Sequence, residues 1–154
     1  MKRALLAAAA FAAMEPVSYA AHRWVMHGAG WVLHESHHRL AGARHALEAN
    51  DWFPVLFAGA TMTALAVGAS RPRARSLTPV GAGVTAYGAA YAFVHDGYTH
   101  QRAGRLPTMA GLEWLRVAHE LHHRYGGEPY GMLVPVVPRA VRARAAADHP
   151  AEAA

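Results

Sequence analysis

Ten of the twelve histidines in this 154-residue chain fall into one pattern that occurs twice. His22-x4-His27 is followed by His34-x2-His37-His38, and His95-x4-His100 by His119-x2-His122-His123. On a helix, positions i, i+3 and i+4 share a face, so His34, His37 and His38 are expected to converge, as are His119, His122 and His123. The x4 pairs differ. Positions i and i+5 diverge by about 140° on a regular helix and meet only where a π-bulge or a frayed end intervenes. Spacing repeated in this way points to metal binding. Imidazole suits Zn, Cu, Fe and Ni alike, but a single tetrahedral zinc takes about four ligands. Ten imidazoles are natural for two ions of higher coordination number, and a dinuclear non-haem iron centre is the preferred reading. His45 and His149 stand outside the pattern and read as ordinary structural histidines.

Two other chemistries use the same residues. His34-Glu35-x-x-His38 and His119-Glu120-x-x-His123 both match HExxH, in which the Glu is the general base of a zinc protease. Against it, a second copy is superfluous, and His37, His122 and both x4 pairs have no task. Glu35-x-x-His38 and Glu120-x-x-His123 also have the spacing of carboxylate-bridged di-iron bundles. Such a bundle needs further carboxylates from other helices, and the long uncharged segments contain none.

Those segments are what must position the histidines. Residues 52–70 and 76–94 are two runs of 19 without a charge or a histidine, each about 28 Å long as a helix and close to the thickness of a bilayer core. RPRAR, Arg71 to Arg75, is a tight turn that makes them a hairpin. The N-terminal run reads either as a signal peptide cleaved after Ala20 or as a third span over 4–21 interrupted by Glu15-Pro16. The span is favoured, because cleavage would leave His22 on a frayed end.

Three crossings put every patterned histidine on one face. That face carries 10 of the 15 Lys and Arg, which places it in the cytoplasm of a bacterial inner membrane. Leu112, Leu115, His119, His122 and His123 extend one apolar stripe, as on an interfacial helix whose buried face passes from packing to coordination. One domain over 1–138 is expected, followed by a basic, disordered tail over 139–154. The tail is expected to touch water or lipid headgroups, not nucleic acid. With no Cys in the chain, disulfides, Cys-ligated metal sites and thiol catalysis are excluded. A transmembrane metal carrier is disfavoured, because both long runs lack ligands.

At this point HRWVMHGAGWVLHESHH, EAND, TAYGAAYAFVHDGYTHQR and AHELHHRYGGE carry a resemblance. Over about residues 14–131 the chain resembles the bacterial β-carotene hydroxylases of the membrane fatty acid hydroxylase superfamily. The resemblance implies an all-α integral membrane bundle under a cytosolic, histidine-rich di-iron cap. It also implies O2-dependent hydroxylation of carotenoid β-ionone rings at C3 and C3′, from β-carotene through β-cryptoxanthin to zeaxanthin, with electrons from a ferredoxin-type donor. A related hydroxylase or desaturase acting on an acyl lipid or sterol has the same histidine pattern. After His123 the chain reads GGEPYGMLVPVVP where the family tends to carry Cys and Ser-Phe-Gly-Phe-Leu, and whether a fourth crossing or a re-entrant segment follows is left open.

Imidazole ligands bring no negative charge, so nearby carboxylates are expected to orient the rings. The candidates are Glu35, Glu120, Asp96 and Asp51. A carotenoid would arrive from the bilayer between the spans, and Trp52, Phe53, Tyr87, Tyr91 and Phe93 are the candidate lining. The same aromatics also suit plain packing or a membrane interface.

Overall fold

The structure, a computed structural model, describes residues 1–39 and 47–148, so His45 and His149 lie outside the described residues. Those described form helices and connecting turns, with no strand among them. Helix α1 (Lys2–Ala20) runs through Pro16 without a break and continues into a π-helix, π1 (Ala21–Ala29). Helix α2 (Trp31–Arg39) turns back from it. A short 3-10 turn over Ala49–Asp51, closed by a reciprocal capping box between Glu48 and Asp51, leads into α3 (Trp52–Ser70). A second 3-10 turn, Pro72–Ala74, joins α3 to α4 (Leu77–Ala92), which passes directly into π2 (Phe93–Thr99). Helices α5 (Glu113–Tyr125) and α6 (Arg139–Asp148) complete the order.

Two helices, Lys2–Ala29 and Ala49–Ser70, are long and apolar enough to cross a membrane. Their large side chains point outward: Leu5, Val17, Val55, Leu56 and Met62 are exposed, while six histidines, His22, His34, His37, His95, His119 and His122, are among the buried side chains. That inverts a water-soluble core and fits hydrocarbon around the helices. Helix α4 packs on both α1 and α3. The α1/α4 crossing is close because position 83 is glycine, where a Cβ would overlap the Ala7 carbonyl. The fold is an all-helical membrane bundle capped by a histidine-rich layer. Between bundle and cap lies a small apolar core of Val94, Leu115 and Met132, flanked by Tyr91, Leu112 and Leu133.

The expected disordered tail differs. Arg139–Asp148 is helical, as its run of Ala and Arg favours, and it is tied back by Tyr125, whose hydroxyl donates to Asp148 at 2.7 Å and whose ring faces Arg144.

Candidate metal centre

The x4 pairs meet because the chain is π-helical where they occur. In π2 the backbone N–H of His100 donates to the carbonyl of His95 at 2.9 Å, so the paired residues themselves close the wide turn. In π1 the Gly30 N–H donates to the Val25 carbonyl with the same five-residue step. Every fifth residue then returns to one face, and the ring centroids stand 5.1 Å apart for His22/His27 and 4.7 Å for His95/His100.

The imidazoles form two groups. His22, His27, His34, His38 and His122 bring one nitrogen each within 4.8 Å of all the others, as do His37, His100, His119 and His123. His95 joins the second group, its ring centroid 4.6 Å from that of His37 and 4.7 Å from those of His100 and His119. The sequence expectation that each H-x2-HH triplet converges as a unit is therefore corrected. Residues i and i+4 of a triplet serve their own group, while i+3 leans into the other: His37 crosses from α2 to the second group and His122 from α5 to the first. Each group thus comprises one π-helical pair, one i,i+4 pair and one histidine on loan from the other copy of the pattern.

The donor set suits metal. Within the groups, Nε2 atoms approach at 3.2 Å (His22/His34), 3.1 Å (His27/His122), 3.0 Å (His100/His119), 3.2 Å (His37/His123) and 2.9 Å (His119/His123). Nitrogens about 2.1 Å from a shared ion are about 3.0 Å apart at right angles and about 3.4 Å apart in a tetrahedron. The observed spacing fits the more crowded coordination. His38 Nε2 is buried with no hydrogen-bond partner. Burial, reinforced by neighbouring imidazoles, holds His34 at about 4 and His38 and His100 at about 3, and burial likewise holds His122 at about 3. The same causes drive His37, His119 and His123 down. These rings are neutral near pH 7, so their lone pairs are free to coordinate.

The outer nitrogens fix which lone pair faces inward. His22 Nδ1 donates to the Tyr130 carbonyl at 2.9 Å, His34 Nδ1 to Asn50 Oδ1 at 2.7 Å and His122 Nδ1 to the Gly127 carbonyl at 2.5 Å. In the second group His37 Nδ1 donates to Glu48 at 3.1 Å and His95 Nδ1 to Asp96 at 3.1 Å. Arg102 gathers the acids, reaching both oxygens of Asp51 at 2.8 Å, Asp96 at 3.1 Å and Glu48 at 3.9 Å. Burial pushes the Asp96 carboxyl up, but His95 and Arg102 outweigh it and bring it down to about 2.

Of the four expected orienting acids, Asp96 touches a histidine. Asp51 acts one step removed, holding Arg102 and the Glu48 backbone N–H. Glu35 and Glu120 are corrected: each is drawn along its own helix into an ion pair, with Arg39 and Arg116, and touches no described histidine. The HExxH reading loses its general base with them, because both carboxylates are taken up by arginines on their own helices and not turned to the imidazoles. Sequence reasoning missed Glu48 and Asn50, although EAND marked their block. It also missed the Gly127 and Tyr130 carbonyls, which no side-chain pattern could reveal.

Among the aromatics, Tyr91 lies 5.2 Å from His95 and Phe53 lies 6.4 Å from His34, ring to ring. Tyr87 is committed to Glu15 and Phe11, and Trp52 and Phe93 face outward. Those three are not brought to the histidine layer.

With this geometry in view, comparison with known proteins is decisive for kinship, since the fatty acid hydroxylase pattern matches residues 7–142. The chain belongs to the fatty acid hydroxylase family. It is 43% identical to a β-carotene hydroxylase of Pseudescherichia vulneris over 117 residues, 75% of this chain and 64% of that protein. It is 38% identical to one of Pantoea ananas over 117 residues, 75% of this chain and 65% of that protein. A β-carotene hydroxylase of Paracoccus sp. (strain PC1) is 38% identical over 133 residues, 84% of this chain and 80% of that protein. The chain thus spans just under two thirds of the first two relatives. No solved structure matches it.

Proposed function

We propose that this fatty acid hydroxylase family member hydroxylates carotenoid β-ionone rings at C3 and C3′, converting β-carotene through β-cryptoxanthin to zeaxanthin. The observation that carries the reading is the pair of five-histidine groups, in a chain whose relatives are β-carotene hydroxylases. His22, His27, His34, His38 and His122 would hold one iron, and His37, His95, His100, His119 and His123 the other. When bound, two such irons supply the O2 activation needed to break a strong aliphatic C–H bond, with electrons from a ferredoxin-type donor.

The chain's own residues prepare that chemistry. The Nδ1 protons of His22, His34 and His122 are held on oxygens of Tyr130, Asn50 and Gly127, and those of His37 and His95 on Glu48 and Asp96, so the Nε2 lone pairs point inward. Tyr91 and Phe53 present apolar ring faces beside the second and first groups, where a rod-like hydrocarbon rising from the bilayer would end. The neutral imidazoles balance none of the ionic charge, and the Glu48, Asp51 and Asp96 cluster offsets it beside the second group while Arg102 holds the cluster together. With α1, α3 and α4 all crossing, the histidine layer faces the cytoplasm, the side bearing the Arg excess and the soluble reductant.

Expression in cells that accumulate β-carotene, followed by pigment chromatography, tests the assignment. Zeaxanthin and β-cryptoxanthin are expected. Unchanged β-carotene together with new hydroxylated acyl chains in the lipid fraction would move the substrate to lipid.

A further inference from the structure

Helix α1 carries a carboxylate, Glu15, where a bilayer-spanning helix should have none, and α1 is not its only contact. Glu15 Oε1 accepts the backbone N–H groups of Met132 and Val134 at 3.0 Å each. Its Oε2 accepts the Leu133 N–H at 3.2 Å and the Tyr87 hydroxyl at 2.7 Å. Glu15 precedes His22 by seven residues and Tyr87 precedes His95 by eight. At 1.5 Å per residue both therefore lie about 10–12 Å along their helices from the histidine layer, towards the bundle. The segment they hold is apolar and lacks regular structure: Met132 is buried in the small core, whereas Val134 and Val136 are 64% and 76% exposed.

Non-helical backbone at that depth is tolerated only if its polar groups are satisfied, and an intramembrane charge persists only with partners. One carboxylate serves both ends, finding its own partners while it takes three consecutive N–H groups of a segment in which Pro135 and Pro138 have none to satisfy. The same loop begins with the two carbonyls, Gly127 and Tyr130, that orient His122 and His22 of the first group.

We propose that residues 131–138 form a re-entrant segment lying in hydrocarbon beside α1 and α4, and that Glu15 is the positioning residue that clamps it there and, through the same loop, sets His22 and His122. The clamp stands on hydrogen bonding and depth alone; its link to the first group rests on the two-iron reading above.

Since the chain has no cysteine, a single Val136→Cys substitution in the full-length protein takes one spin label. In phosphatidylcholine/phosphatidylglycerol vesicles the label is expected to collide more readily with O2 than with a water-soluble nickel chelate, as does a reference label at Met62→Cys on α3. Adding Glu15→Leu should raise nickel access at position 136 several-fold and leave position 62 unchanged. Glu15→Gln keeps one carbonyl oxygen and should fall between the two. Nickel access in the parent equal to that of a label at Arg142→Cys, or no change with Glu15→Leu, overturns the clamp.

Iron content supplies the second readout. Glu15→Leu should lose iron from one site and keep the other. A shift of the label with iron unchanged overturns the link to His22 and His122. A parent that shows the expected depth but binds no iron upholds the clamp and sinks the two-iron reading instead.

Discussion

Around the first histidine group the outer ring nitrogens meet neutral oxygens, those of Asn50, Gly127 and Tyr130. Around the second, those of His37 and His95 meet carboxylates, Glu48 and Asp96, gathered by Arg102. The two groups share one plan of ligand spacing and differ in what stands behind it. An imidazole that donates to a carboxylate is a stronger electron donor than one that donates to an amide. An ion held by the second group would therefore be better stabilised in its higher charge state, and the surroundings of the two groups are chemically unlike despite their repeated sequence pattern.

The largest effects should come from the crossing histidines. His37→Ala removes a donor from the second group and His122→Ala from the first, and each is expected to take zeaxanthin to background, with iron falling from about two per chain towards one. Mössbauer spectra should lose a different component in each variant. Loss of the same component in both would remove the exchange between copies. Full iron and activity in His122→Ala would argue against the first group altogether.

Next come the groups behind the rings. Glu48→Gln and Asp96→Asn should weaken metal binding about 10- to 100-fold and bring the reduction potentials of the two sites together. Asn50→Leu should weaken the first site without that convergence. Reductive titration followed by optical and EPR spectra separates the cases, and equal behaviour of all three variants would dissolve the distinction drawn here.

A smaller effect is shared by both groups. His34 near 4 and His38, His100 and His122 near 3 in the folded chain compare with about 6.5 for an unfolded histidine. Below that value the unfolded chain takes up protons that the folded chain refuses. Stability of the metal-free protein is thus complete above pH of about 6.5 and falls as pH drops towards about 3. Thermal unfolding in detergent after chelation should show the midpoint dropping through that window, and a flat profile would contradict the burial of neutral rings.

The smallest effect is expected for Glu35→Gln and Glu120→Gln. Both acids are turned outward to arginine, in ion pairs of the kind worth about 0–1 kcal/mol. Zeaxanthin formation should stay within about two-fold, and metal content should not move. An inactive Glu120→Gln variant that keeps its metal would instead revive a general-base role for that residue.

These outcomes also mark how far the sequence could be read. The uncharged runs and the doubled histidine pattern announced a helical membrane bundle with a metal cap, because hydrocarbon and imidazole clustering each impose a composition that shows in one dimension. The x4 spacing even named its own condition, a π-helical turn. What stayed hidden was the exchange of His37 and His122 between groups, since facing a neighbour across the bundle leaves no periodic trace. Glu15 read as an interruption of a span because its partners are backbone amides well over 100 residues away. Glu35 and Glu120 stand beside histidines in sequence, but each has an arginine four residues away on its own helix, and that local pair takes the carboxylate.

The loan of His122 to the first group bears on biosynthesis. Four of that group's donors leave the ribosome by residue 38, but the fifth follows only after both α3 and α4 have been made. At ordinary elongation rates this is a delay on the order of ten seconds. During it the nascent chain carries four of the five donors of the first group. If that group holds an ion, its full donor set exists only once the hairpin has been made and α5 has closed over it, an order in which insertion would precede metallation.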